Sequence, residues 1–144
     1  LKEAEREIGK YRSAAMVANL EGLLGVGEEI GDVRVWHFVA PEGTDAGALR
    51  ELVTKGRDRA RREIPSVVLG ASVDGEKVSL VAATNEAGRT AGVSANRVLQ
   101  AGLSALGGRG GGKDDMAQGG GTGAASLDAA FAAAAEAVRS AVGA

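Results

Sequence analysis

The chain has 144 residues, 44% hydrophobic and 25% charged, with a net charge of −2, the size and balance of one globular domain. It contains no cysteine, which excludes disulfides, zinc–thiolate sites and cysteine nucleophiles, and its single histidine, His37, leaves almost no material for histidine metal sites or Ser/His/Asp triads. No apolar run reaches the roughly 18 residues that span a membrane, and no signal-peptide pattern is present.

Residues 1 to 24 show an apolar 3–4 spacing through Leu1, Ala4, Ile8, Tyr11, Ala15 and Ala18, continued by Met16, Leu20, Leu23 and Leu24, which predicts a helix. The sequence opens in mid-pattern on Leu1-Lys2-Glu3-Ala4 and so reads as a piece of something longer. Gly22, Gly25 and Gly27 loosen the chain into a connection, and residues 1–31 are expected to form a helical arm with its connection. A strand is expected over Val33–Ala40, with Val33, Val35, His37 and Val39 on one face and Trp36 and Phe38 on the other. His37 lacks a visible partner and reads as a core or half-buried strand residue, and Trp36 and Phe38 read as core.

Asp45 is a plausible N-cap for a helix over Ala46–Glu63, whose stripe is Leu49, Leu52, Val53, Gly56 and Ala60, with Arg50, Arg57 and Arg61 on one flank. Pro65 stops that helix. Strands follow at Ser66–Val73 and Lys77–Ala83, and Asp74-Gly75 between them is a type I′ hairpin signal. Asn85–Gly88 reads as a loop, and Ser94–Leu106 as a helix with Val98, Leu99, Leu103 and Leu106 inward. Ser126 caps a final helix carrying Leu127, Phe131, Ala134, Val138 and Ala141. The expected fold is α/β: an N-terminal helical arm, then a two-layer α/β domain with a small mixed β-sheet over 32–144.

Nine of the 23 glycines fall between positions 107 and 123, predicting a glycine-rich loop with a short strand at Met116-Ala117-Gln118. Gly107 and Gly112-Lys113 fit G-x-x-x-x-G-K, but Asp114 stands where a Ser or Thr must hold Mg²⁺, and the block follows a helix instead of a strand, so nucleotide hydrolysis is not expected. Asp114-Asp115 has too few neighbouring oxygen ligands for a divalent metal, and no catalytic or metal-ligating residue is assigned. From Ala87 to Lys113 there are four basic residues (Arg89, Arg97, Arg109, Lys113) and no acidic ones, and Ala46–Glu63 carries six basic against three acidic. Local positive potential, more than total charge, governs attraction to phosphate.

The block GGRGGGKDDMAQGGG resembles the glycine-rich signature of the C-terminal domain of alanyl-tRNA synthetase, through Gly107-Gly108, Gly110-Gly111-Gly112, Lys113, Asp115, Ala117-Gln118 and Gly119-Gly120. Asp114 stands where many members carry proline, which implies a less rigid turn. The domain is also related to the substrate-binding domain of DHH-type phosphoesterases, whose signature places a histidine among the glycines. None lies near residues 107–121, which favours the synthetase.

The resemblance implies a non-catalytic, cytoplasmic piece that binds the outer corner of alanine tRNA and so links aminoacylation to editing. Single-stranded nucleic acid and a homodimer through the first helix are further partners it implies; no membrane partner is expected. It implies no cofactor here, with ATP, Mg²⁺ and Zn²⁺ serving other domains of the parent ligase. The implied RNA-binding residues are Gly107, Gly108, Arg109, Gly110, Gly111, Gly112, Lys113, Gln118, Arg97 and Arg89, with glycine N–H groups meeting phosphate or sugar oxygens. With so few aromatics, recognition is expected to lean on shape and backbone more than on base stacking. The implied alternatives are an assembly module of the synthetase and a nucleic-acid-binding domain of a DHH-type phosphoesterase.

Overall fold

The computed structural model describes residues 28–41 and 43–143. The helical arm expected over the first 24 residues lies outside that range. Among the described residues six strands form one mixed sheet in the order β1-β2-β3-β4-β6-β5. They are β1 (Glu28–Ile30), β2 (Val33–Val39), β3 (Ser66–Asp74), β4 (Lys77–Thr84), β5 (Arg109–Gly112) and β6 (Met116–Thr122). Only β2 and β3 run parallel, because α1 (Ala46–Arg59) carries the chain back between them. The α/β class and the mixed sheet are as the sequence implied.

Helices cover both faces. Val67, Leu69, Ala71, Val78, Leu80 and Ala82 face α3 (Ala95–Ala105) and α4 (Leu127–Val142), meeting Leu99, Leu103, Phe131 and Val138. Phe38, Val68, Val81 and Ala83 face α1 and meet its Leu49, Leu52 and Val53. β3 and β4 are therefore buried from both sides, which explains their near-continuous apolar runs.

Several boundaries differ from the sequence pattern. Glu28–Ile30, which the pattern assigns to the connection, pairs with β2 as an edge strand, and its one apolar residue, Ile30, is buried. The β3–β4 turn is not type I′: its central residues are Gly75 and Glu76, and only Gly75 has positive φ (+60°), as a type II′ turn requires. α1 ends at Arg59, short of Glu63, because Ala60 is already extended. The carbonyls of Arg61 and Ile64 accept from Asn85 Nδ2 at 3.4 and 2.8 Å, in place of amides from a further helical turn.

Asn85 also corrects the loop expected at 85–88. Its Oδ1 accepts from Gly88 N at 2.8 Å and caps a short helix, α2 (Glu86–Thr90). The same oxygen accepts from Ser66 N at 2.9 Å, so one side chain ties the end of α1, the start of β3 and the start of α2.

Candidate nucleic-acid interface

The glycine block is not a loop. α3 closes with Gly107 at φ +60°, where Gly107 N donates to Ser104 O (3.4 Å) and Gly108 N to Leu103 O (2.9 Å), a Schellman ending that only an αL-tolerant residue can make. The chain then runs as β5, turns at Lys113-Asp114-Asp115, and returns as β6, pairing Arg109 with Gly120 and Gly112 with Ala117. What requires glycine here is space. A Cβ on Gly119 would lie 2.7 Å from both Arg109 O and Leu103 Cδ1, and one on Gly110 would strike Gly119 Cα. The hairpin is pressed between its own strands and α3.

The ladder decides which backbone groups remain available. Lys113 N donates to Met116 O at 2.9 Å, so by the antiparallel alternation Gly111 and Arg109 also bond inward to β6. Gly110 and Gly112 then turn their N–H and C=O groups out of the sheet edge. One of these, Gly110 O, accepts from Gln100 Nε2 at 2.6 Å. Of the glycine N–H groups expected to meet phosphate or sugar oxygens, the ladder leaves those of Gly110 and Gly112 without a partner strand.

The turn at the tip is anchored, although Asp114 is expected to leave it less rigid. Asp114 O accepts from Thr84 Oγ1 (2.6 Å) and Ala95 N (2.9 Å), Asp114 Oδ1 accepts from Ser94 Oγ (2.7 Å), and Asp115 O accepts from Thr84 N (3.0 Å).

Arg109 and Lys113 stand exposed at the two ends of β5, and Gln118 is exposed opposite Gly111. Arg97 lies exposed in the first turn of α3, its N–H held at 3.5 Å by the same Ser94 that holds Asp114. Arg89 sits apart on α2, where its Nη1 donates to Thr84 O at 2.8 Å. It shares a cleft with Arg57 and Arg62 of the α1 end, two residues the sequence does not associate with the glycine block. A charge count along the chain shows all three arginines, but their union comes only from α1 packing against β3 and β4.

Ion pairs among the described residues include Arg34–Glu29, Arg57–Asp58, Arg139–Glu28 and Arg139–Glu136. Arg89, Arg97, Arg109 and Lys113 have no acidic partner among the described residues, and their charge is left to act on solvent and ligands. Among the described residues the aromatics take no part in this surface. Phe38 is buried and Trp36 half-buried under α1, while His37 is exposed, contrary to the core or half-buried reading, and stacks on Phe131 of α4 with ring centroids 4.6 Å apart.

Residues 32–140 match the DHHA1 domain family. An alanine–tRNA ligase of Corynebacterium jeikeium is 42% identical over 142 residues, covering 99% of this chain; the chain spans only 15% of that ligase's length. The C-Ala domain of Aquifex aeolicus alanyl-tRNA synthetase superposes with a TM-score of 0.69 at 29% identity, covering 78% of this chain and 96% of that domain. RecJ of Thermus thermophilus shares the fold, with a TM-score of 0.58 at 19% identity over 94% of this chain and 19% of its own. The chain belongs to the DHHA1 domain family, and its likeness within that family is to the C-Ala domain of alanyl-tRNA synthetase.

Proposed function

We propose that this chain is the tRNA-binding C-terminal part of an alanine–tRNA ligase, docking on the outer corner of alanine tRNA so that aminoacylation and editing act on one bound molecule. The observation that carries this reading is the edge strand β5: a side-chain-free stretch, Gly110–Gly112, with Arg109 and Lys113 at its ends and no acidic partner for either among the described residues. Such an edge lets an RNA backbone come within reach of two outward N–H groups while two cations meet its phosphates. Gln118 and Arg97 border the same surface, and Arg89 extends it. The reading assigns no cofactor to this chain; ATP, Mg²⁺ and Zn²⁺ would serve other domains.

The test is titration of the chain with full-length alanine tRNA and with a minihelix carrying only the acceptor stem. The full-length tRNA is expected to bind more tightly, and Arg109→Glu with Lys113→Glu should lower the slope of log K against log salt by about 2. Equal binding of the minihelix would remove the outer-corner assignment.

A further inference from the structure

The end of α1, the start of α2 and the tip of the glycine hairpin meet around a cleft of about 610 Å³. Arg57, Arg62, Arg89, Glu86 and Asp115 are among its lining residues. Its uncharged polar residues are committed elsewhere: Thr84 Oγ1 donates to Asp114 O, and Asn85 is spent on Ser66, Gly88, Arg61 and Ile64. The groups left to face a ligand are charged and of both signs. Arg62, Glu86 and Asp115 make no side-chain hydrogen bond or ion pair among the described residues, and Arg57 touches only Asp58, at 3.4 Å. Arg89 uses one nitrogen on Thr84 O and keeps the rest of its fork.

Arginines alone would suit a bare phosphate. Three guanidiniums set beside two unpartnered carboxylates suit a ligand that is anionic at one point and donates hydrogen bonds at another. A ribose–phosphate unit has both features: phosphate oxygens match the guanidinium fork, and the 2′-hydroxyl can donate to a carboxylate. A deoxyribose unit offers no donor at that place. The cleft is also continuous with the hairpin, since Thr84 N donates to Asp115 O at 3.0 Å while Thr84 O receives Arg89.

We infer that this cleft is a ribonucleotide site, in which Arg57, Arg62 and Arg89 hold phosphate and Glu86 and Asp115 accept from ribose hydroxyls, letting the chain prefer RNA over DNA. The inference rests on the RNA-binding reading above and adds a second contact, on α1 and α2, to the one on β5.

It is tested with the whole 144-residue chain, using alanine tRNA made as RNA and the same sequence made as DNA. Arg62→Gln should weaken both ligands and lower the salt slope by about 1. Asp115→Asn, which keeps the backbone bond to Thr84, should weaken the RNA several-fold and leave the DNA unchanged. If Arg62→Gln and Asp115→Asn change nothing while Arg109→Gln and Lys113→Gln still lower the slope, the cleft is not part of the interface although the hairpin is. Absence of RNA binding by the unsubstituted chain at low salt overturns both readings. Unfolding curves of each variant exclude a folding defect as the cause.

Discussion

Two antiparallel hairpins share the sheet, β3–β4 at its centre and β5–β6 at its edge, and they are held by different means. The central one is fastened by side chains: Leu69, Leu80, Val67, Val68 and Val81 are all buried, with helices on both faces. The edge one contributes Ala117 and the half-buried Met116 to the core and otherwise relies on main-chain pairing and close approach to α3. Burying apolar area stabilises by about 25 cal/mol per Å², so the first arrangement is the stronger fastening. The second leaves backbone uncovered at the surface, which is what a recognition strand requires.

The role of glycine separates the two hairpins most sharply. At Gly119 there is no positive φ but no room either, whereas at Gly75 there is room but a φ of +60°. Gly119→Val should therefore cost about 3 kcal/mol by overpacking against Leu103 and β5. Urea unfolding would measure it, and a loss below that of an ordinary surface change would mean the edge hairpin is loosely seated. Gly75→Ala meets nothing within 4 Å, so its cost is purely conformational, about 1–2 kcal/mol. Thermal unfolding would register it, and an unchanged midpoint would show that the turn can relax to another type. The smallest effect is expected from Gln100→Ala, which removes the donor to Gly110 O at 2.6 Å and should cost about 0.5 kcal/mol. Amide exchange at β5 would rise in that variant, and if it does not, the side chain is not what steadies the strand.

The same contrast explains what could be read from the residues. β2, β3 and β4 announce themselves through apolar runs bounded by turn residues, and α3 and α4 through the helical spacing of Val, Leu and Ala. β5 is Arg-Gly-Gly-Gly, with no periodicity to detect and residues depleted in strands, so its pairing is decided by tertiary approach alone. α2 is five residues long, too short for a pattern, and its one signal was Asn85 before Glu86 as a cap. β1 offers a single apolar residue, Ile30. At the candidate site, the acid-free run from Ala87 to Lys113 was visible as composition. Its division into a hairpin group and an α2 group was not, because the meeting of Arg89 with Arg57 and Arg62 depends on where α1 lies across the sheet.

The outer side of β5 has a consequence for solubility. A sheet edge with unused backbone groups is a template on which a second molecule can add a strand. Here the edge is four residues long, and its flanking Arg109 and Lys113 have the same sign. Two copies approaching antiparallel would bring those cations towards one another, a repulsion with no carboxylate on the strand to relieve it. The charges that favour an anionic ligand thus also discourage the strand from adding to its own kind.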